Sequence, residues 1–295
     1  MRVTLDGRLI QDHFPGIGRY TFTLARALPE LPEIEALSIL RDPAAPNQRF
    51  AWDSLAGSKV RVIDRRVGIF SARDQLTFNT QRRRLAADLI HFPYPVRPYA
   101  VPAPTVVTIH DTIPLRRPDL LPDHRSRLIF PLLLRLAAAA SRIVLTDSRA
   151  AAEDLRRLGG ELPAKIRVEP PAVIPTAGDL AGRGAGDHLL YVGINKPHKN
   201  LPRLIEAYAA SRVDMPLILA GPIDPRYPEA AATAERLGLA DRVRCLGLVD
   251  EALLADLYRR ARCLVFPSLE EGFGLPVLEA MAAGVPVIAS DIPAI

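Results

Sequence analysis

Short apolar, β-branched runs alternate with helical patterns along most of the chain, and this alternation restricts its fold more than any other feature. In the first part the pattern predicts strands at 2–6, 38–40, 60–63, 89–92, 105–109 and 143–147. It restarts with strands at 189–192, 216–220, 243–246, 263–266 and 285–290. Helical patterns between such strands are typical of βαβ units. The sequence therefore predicts two Rossmann-like, doubly wound parallel sheets.

The segment 170–187 separates the two series of strands. It is rich in Pro, Gly and Ala and has no sustained period, as expected of a linker. We therefore predict a first domain at 1–172, a linker at 173–186 and a second domain at 187–295. Because the chain ends soon after the strand at 285–290, we expect the second domain to be incomplete at its C-terminus.

Composition excludes several classes of protein. None of the 295 residues belongs to an apolar run of about 18, so no spanning helix is predicted, and MRVTLDGRLI is typical of a strand and not of a signal peptide. Cys245 and Cys263 are the only cysteines, which argues against a zinc site or a disulfide scaffold. We predict no metal and no cofactor, and a reducing cytoplasm as the location.

Charge divides unevenly along the sequence. Residues 1–182 contain 26 Lys and Arg against 19 Asp and Glu, whereas residues 183–295 contain 12 against 14. The basic part fits either an anionic partner, such as a membrane surface, or a solvated Arg-rich face. The run Gln81–Arg84 has no interleaved aromatic residues, so we interpret it as a solvated helix face and predict no nucleic-acid partner.

A glycine-containing loop between a strand and a helix is the strongest chemical signal. It runs from Glu271 to Glu279 as EGFGLPVLE, with Pro276 in the first helical turn, where proline is tolerated. Such a loop presents backbone N–H groups and a positive dipole to an anion such as a diphosphate. The alternative is an ordinary helix start with a solvent-facing Glu.

A second strand–turn–helix signal is YVGINKPHKN, which contains Gly193, Lys196 and Lys199. A cation beside a helix N-terminus gains nothing from the helix dipole. We therefore interpret Lys199, and with less support Lys196, as contacts to a bound anion, the alternative being exposed surface lysines.

Two weaker signals lie in the first domain. Gly16 and Gly18 fit a close approach to phosphate or sugar, or a plain turn, but the third glycine of a dinucleotide fingerprint is absent. His110 and Asp111 end a probable central strand, where ligands bind in open α/β sheets. A lone histidine in such a place is also compatible with a structural role.

Together these stretches resemble group 1 (family four) of the retaining glycosyltransferases, which have the GT-B architecture of two Rossmann-like domains facing a cleft. Within that family they are most similar to bacterial polysaccharide mannosyltransferases of the B type. The resemblance is carried by GIGRYTFTLARAL, DLIHFPYP, VVTIHDTIP, TDSRAAAEDL, YVGINKPHKNLPRLIEAY and, above all, VFPSLEEGFGLPVLEAMAAGVPVIASDIPA.

The resemblance implies roles for individual residues. Glu279 matches the Glu that binds the nucleotide ribose, and Glu271 matches the Glu that contacts the donor sugar. Lys199 matches the basic residue that neutralises the leaving diphosphate. His110 matches the histidine near the reaction centre. The remaining donor-binding positions are Gly16, Gly18, Asp111, Gly193, Lys196, Gly272, Phe273, Gly274 and Leu275. Ile194 and Asn195 stand where many relatives have a second basic residue, so Lys196 or the helix N-terminus would substitute.

The resemblance also implies a function. We expect a metal-independent, retaining transfer of a sugar, mannose from GDP-mannose, to a glycan or lipid-linked acceptor in lipopolysaccharide or other surface polysaccharide synthesis. The enzyme would work in the cytoplasm or as a peripheral protein on the anionic inner membrane face. Alternatives are a non-catalytic nucleotide-sugar-binding fragment and another GT-B enzyme such as a nucleotide-sugar epimerase. The incomplete fingerprint disfavours a nicotinamide dehydrogenase.

Overall fold

The computed structural model describes residues 1–81, 85, 87–101, 103–121, 123–159, 162–172 and 186–295. The chain divides into two compact units, Met1–Ala172 and Val173–Ile295. The predicted linker lies outside the described residues except for Gly186, and so do Arg82–Arg84 of the predicted charged helix face.

A parallel sheet forms the centre of the first unit. Its strands among the described residues are β1 (Arg2–Asp6), β2 (Ala36–Arg41), β3 (Val60–Asp64), β4 (Leu89–Phe92), β5 (Thr105–Thr108), β6 (Ile143–Thr146) and β7 (Ile166–Val168). Their order is β3-β2-β1-β4-β5-β6-β7. The order reverses between β1 and β4, so the carboxyl ends of these strands form the topological switch point where ligands bind in such sheets.

Helices connect these strands. They are α1 (Pro15–Ala27), α2 (Ala72–Thr77), α3 (Ile113–Arg116), α4 (His124–Ala139), α5 (Arg149–Arg157) and α6 (Leu162–Lys165). Ser148 caps α5, because its Oγ accepts a hydrogen bond from the Ala151 N–H at 3.1 Å. The sequence patterns did not predict α2 or β7, which span too few residues for a period to show.

Four buried charged side chains hold the carboxyl end of this sheet together. We call Asp6, Arg8, Arg65 and Asp74 the ionic network. Arg8 donates to Asp6 at 2.6 Å and to Asp74 at 2.9 Å, and Arg65 donates to Asp74 at 2.5 Å. The network contains two cations and two anions, so its net charge is zero. Buried charges need such pairing because an unpaired charge away from water is strongly destabilising. The network thereby ties the segments that follow β1 and β3 to α2.

The second unit has a smaller parallel sheet. Its described strands are β8 (His188–Val192), β9 (Leu217–Ala220), β10 (Val243–Gly247), β11 (Ala261–Phe266) and β12 (Val287–Ala289), and its helices are α7 (Leu201–Ser211), α8 (Glu229–Arg236), α9 (Glu251–Arg260) and α10 (Leu275–Ala282). The strand order β10-β9-β8-β11-β12 reverses between β8 and β11. Helix and strand side chains such as Leu190, Ile205, Leu264 and Ala280 are fully buried in its core. The predicted doubly wound sheets are therefore confirmed.

Asn200 links two loops of the second unit. It precedes α7 with a φ of 58°, and its side chain does not cap the helix. The Asn200 amide instead donates to the Pro267 carbonyl at 3.3 Å. It therefore ties the loop after β8 to the loop after β11.

Candidate active site

Lys199 and Glu271 meet at the switch point of the second sheet. Lys199 follows β8, Glu271 follows β11, and Lys199 Nζ lies 2.6 Å from Glu271 Oε1. Their side chains are only 13% and 8% exposed. The structure thus brings together two residues that the sequence singled out separately.

This contact corrects one argument from the sequence. We interpreted Lys199 as a cation whose position calls for a bound anion, or as a surface lysine. The structure gives Lys199 a protein carboxylate as partner and buries most of its side chain. Its Nζ also lies 5.4 Å from the centre of the Phe266 ring, whose negative face favours a cation.

The glycine loop ends in a backbone conformation that favours glycine. Gly274 has a φ of 96° and precedes α10, which begins at Leu275 with Pro276 in its first turn. The Val277 N–H donates to the Gly274 carbonyl at 2.9 Å. The Leu275 N–H lies in the first turn, whose amides have no partner within the helix, so it is available to an anion. Gly272 and Phe273 are partly exposed in the same loop.

Glu279 lies inside α10 and is almost fully buried. Its Oε2 accepts a hydrogen bond from the Tyr258 hydroxyl of α9 at 2.7 Å. This bond fixes the orientation of the carboxylate, whose oxygens are of the kind that accept hydrogen bonds from ligand hydroxyls. The structure thus excludes the alternative of a solvent-facing Glu.

Two glycines shape the backbone after β8 and β9. A Cβ at Gly221 would lie 2.3 Å from the Gly193 carbonyl oxygen, so Gly221 allows the two segments to approach closely. Gly193 has a φ of 153°, and a Cβ there would lie 2.6 Å from the Tyr191 hydroxyl. The neighbouring Tyr191 donates to the Ile194 carbonyl at 3.2 Å. Burial, and secondarily the Glu271 carboxylate, raises the pKa of Tyr191 well above its usual value, so its hydroxyl stays protonated.

Lys196 is exposed and has a different environment from Lys199. It lies near Asp224, whose pKa is lowered to about 2, mainly by its hydrogen bond to Arg226 and to a smaller extent by Lys196. Asn195 binds the backbone of the same segment, donating to the Tyr227 carbonyl at 2.7 Å. Asn195 therefore has a structural role where relatives are expected to have a basic residue.

In the first unit, His110 pairs with a carboxylate that the sequence did not single out. His110 Nδ1 lies 2.7 Å from Asp147 Oδ2, and the side chains are 12% and 7% exposed. The Tyr20 ring packs edge-on against His110, with ring centres 4.5 Å apart. His110 Nε2 is buried and has no hydrogen-bond partner within the described part of the chain. The arrangement fixes the imidazole and leaves one ring nitrogen for a ligand.

Tyr20 also belongs to a buried polar chain. The Thr108 hydroxyl lies 3.1 Å from the Tyr20 hydroxyl and 2.7 Å from His91 Nε2. Burial raises the pKa of Tyr20 to about 12 and, together with nearby His110, lowers the pKa of His91 to about 3. Both side chains are therefore neutral at pH 7.

The other predicted residues of the first unit have mixed environments. Asp111 Oδ1 accepts from the Ile113 N–H at 2.5 Å and so stabilises the start of α3. Gly16 is exposed in the first turn of α1, and a Cβ there would meet nothing within 4 Å. A Cβ at Gly18 would lie 2.9 Å from the Phe50 ring, so packing alone accounts for that glycine.

The sequence analysis missed Asp147 and Tyr258, which contact the candidate residues His110 and Glu279, because each is distant in sequence from its partner. Asp147 ends a predicted strand, and the sheet places that strand beside the strand that His110 follows. A sequence argument that combined strand ends with neighbouring strands would have paired them. Tyr258 gives no such signal, because it lies mid-helix in α9.

Two negative findings concern the described residues only. No three His, Cys, Asp or Glu side chains there come together as a metal site. None of the helices there is long and apolar enough to cross a membrane.

Models of two protein families match the chain. The model of Glycosyltransferase Family 4 matches residues 15–176, and that of Glycosyl transferases group 1 matches residues 183–295. The chain belongs to glycosyltransferase family 4. The resemblance inferred from the motifs is thus confirmed, and the family 4 assignment covers the unit that contains His110.

Curated relatives agree with this assignment. The family 4 chain is 29% identical to O-antigen chain mannosyltransferase B of Escherichia coli, with 99% of this chain and 83% of the relative covered. It is 30% identical to O-antigen chain mannosyltransferase RfbU of Salmonella typhimurium, with 63% and 52% covered. The chain thus spans about half the length of RfbU.

Solved structures confirm the GT-B fold. The sucrose-phosphate synthase from Thermosynechococcus elongatus has a TM-score of 0.75 at 22% identity, with 99% of this chain and 82% of that chain covered. HepE from Anabaena, in complex with UDP and glucose, has a TM-score of 0.71 at 21% identity, with 99% and 81% covered.

Proposed function

We propose that this family 4 glycosyltransferase transfers a sugar from a nucleotide-sugar donor to a glycan or lipid-linked acceptor in surface polysaccharide synthesis. The observation that carries the proposal is the Lys199–Glu271 pair at the switch point of the second sheet. This pair brings together a cation suited to a diphosphate and a carboxylate suited to sugar hydroxyls. The Leu275 amide, in the first turn of α10, follows the glycine loop that begins at Glu271. The names of the O-antigen relatives support the polysaccharide acceptor.

The chemistry we propose is electrostatic. As the glycosidic bond breaks, the diphosphate gains negative charge, and Lys199 together with the Leu275 N–H stabilises it. Glu279 would bind the ribose hydroxyls while Tyr258 holds its carboxylate in place. Glu271 is held by Lys199, which suits a hydrogen-bond acceptor better than a covalent nucleophile. We propose retention on the basis of the family resemblance, by a route without an enzyme-bound intermediate, and no metal has a part in this scheme.

We propose mannose and GDP as donor components because the two O-antigen relatives are mannosyltransferases by name. Thermal unfolding with GDP, UDP, dTDP and ADP, each alone and as a sugar conjugate, tests this. A rise in Tm with GDP and GDP-mannose is expected. Glu279→Ala should abolish the rise, whereas Glu235→Ala, at an exposed position on α8, should keep it. A rise with another nucleotide alone would exclude GDP-mannose.

Turnover separates the remaining alternatives. Transfer of labelled mannose that requires an added glycan or lipid-linked acceptor is expected. Isomerisation of the donor without an acceptor would indicate an epimerase. Binding of the donor with neither transfer nor isomerisation would indicate a non-catalytic nucleotide-sugar-binding protein.

Helix α4 supports a peripheral contact with an anionic membrane. Leu128, Ile129, Leu132 and Leu136 are 66%, 48%, 51% and 41% exposed, and their spacing places them on one face. The helix also contains three arginines and no Asp or Glu. A basic helix with an apolar face is typical of interfacial binding, and a lipid-linked acceptor would be found there.

Vesicle co-sedimentation tests this contact. The chain should bind vesicles containing phosphatidylglycerol, and binding should weaken in high salt. Leu128→Ser/Leu132→Ser should release it, whereas Leu253→Ser, at a half-exposed site on α9, should not. Binding that ignores both anionic lipid and salt would contradict the proposal.

A further inference from the structure

Three aromatic side chains meet at the switch point of the first sheet. Phe14 follows β1, Tyr94 follows β4, and Phe70 lies between β3 and α2. Ring centres are 6.3 Å apart for Phe14 and Phe70, 5.9 Å for Phe70 and Tyr94, and 6.4 Å for Phe14 and Tyr94. We call these three residues the aromatic platform. All three rings therefore contact one another at the edge of the sheet where ligands bind.

The platform leaves a large apolar ring in water. Phe70 is 62% exposed, although Phe14 and Tyr94 beside it are partly covered. Single exposed apolar residues need no explanation, and Leu76 on α2, at 79%, is one of them. Phe70 differs because it is one of three contacting rings at a switch point.

The loop that carries Phe70 is held rigidly. Within the ionic network, Arg8 donates to the Val67 carbonyl at 2.8 Å as well as to Asp74 in α2. Gln75 in the same helix donates to the Arg97 carbonyl at 2.6 Å, in the segment that follows Tyr94. Phe70 is thus fixed between two anchored points before any ligand arrives, which lowers the entropy cost of binding.

A sugar ring is the ligand whose chemistry fits this surface. One face of a pyranose presents C–H groups with a small positive charge, which pack against the negative face of an aromatic ring. Arg8, which donates to the Val67 carbonyl in the loop of Phe70, is buried and paired with two carboxylates, so it is not available to a phosphate ligand. Burial and, secondarily, the charge of Asp111 raise the pKa of Tyr94, and a carboxylate such as that of Asp111 can accept hydrogen bonds from sugar hydroxyls.

We propose that a sugar ring of the glycan acceptor stacks on Phe70, and that Phe14 and Tyr94, which pack against Phe70, hold the Phe70 ring in position. This proposal rests on the proposed transfer function. The platform sets where the acceptor binds and does not take part in bond breaking.

Kinetics with Phe70→Ala test the platform. The KM for the acceptor should rise about 3- to 10-fold, the range expected when an aromatic pair is lost. The kcat and the nucleotide-induced rise in Tm should stay unchanged. Phe70→Trp should restore acceptor binding, and Leu76→Ala, which removes a more exposed apolar side chain from α2, should have no effect. An unchanged acceptor KM in Phe70→Ala would overturn the proposal while leaving the transfer function intact.

A binding experiment tests the platform even if the chain transfers no sugar. Saturation-transfer NMR of the full chain with mannotriose, maltotriose and galactotriose should show contact to sugar C–H protons, and Phe70→Ala should remove it. The absence of contact with all three sugars would overturn the platform. If the full chain shows this NMR contact with a sugar but transfers no sugar to any acceptor, the result would count against the proposed transfer function and not against the platform.

Discussion

The Lys199–Glu271 pair permits a test that separates catalysis from folding. Lys199→Met keeps an apolar stem and deletes the charge, which leaves the Glu271 carboxylate 8% exposed and without its cation. Removing one partner of a buried pair costs about 3–5 kcal/mol, and the 13% exposure of Lys199 favours the lower end. A loss of about 3 kcal/mol lowers the Tm of a unit of this size by about 10 °C.

The double variant Lys199→Met/Glu271→Gln distinguishes the two roles. Neutralising the carboxylate removes the unpaired charge, so most of the lost stability should return. The cation that stabilises the leaving diphosphate remains absent, so kcat/KM should stay about 10²- to 10³-fold below that of the unchanged chain in both variants.

Calorimetry and initial-rate transfer assays, run on the same preparations below the lowest Tm, give both quantities. Glu271→Gln alone should keep the Lys199 charge and lose part of the transfer rate through weaker sugar binding. Recovery of transfer together with stability in the double variant would refute the reasoning, because Lys199 would then serve the fold alone. Unchanged kinetics in Lys199→Met would refute it as well.

Three further perturbations have expected outcomes. Asp147→Asn removes the carboxylate that orients His110, so turnover should fall about 10- to 100-fold with little change in Tm, and unchanged turnover would contradict an orienting role. Burial holds the pKa of His91 at about 3, against about 6.5 in the unfolded chain. Between these two pH values the unfolded chain binds more protons than the folded chain, so the free energy of unfolding decreases as the pH falls from 6.5 towards 3. By pH 5 this loss is about 2 kcal/mol; denaturant titrations at pH 7 and 5 should show it for the exposed control His13→Gln but not for His91→Gln. Asp74→Leu leaves two buried arginines of the ionic network with one carboxylate, so denaturant unfolding should show a loss of about 3–5 kcal/mol, and a loss below about 1 kcal/mol would show that water reaches the network.

Much of the fold was predictable because long apolar runs and glycine turns are local signals. β1 and β4 have the predicted bounds, Arg2–Asp6 and Leu89–Phe92. The elements that sequence patterns missed, such as α2 and β7, are short and depend on tertiary partners. Tertiary contact likewise decides the role of Asn200, whose side chain binds a carbonyl of a distant loop and does not cap α7.

The sequence was sufficient to select the candidate residues, but it did not predict which residues they contact. The rule that ligands bind at the carboxyl ends of parallel strands selects His110, and the strand–turn–helix patterns select Lys199 and Glu271. Their contacts, however, join residues 37 positions apart for His110 and Asp147 and 72 apart for Lys199 and Glu271.

Such pairs follow only once the strand order is known, because the order decides which strand ends are neighbours. β5 lies beside β6, and β8 lies beside β11. These two adjacencies place Asp147 near His110 and Glu271 near Lys199. Strand order therefore turns separate sequence signals into two buried side-chain contacts, one within each unit.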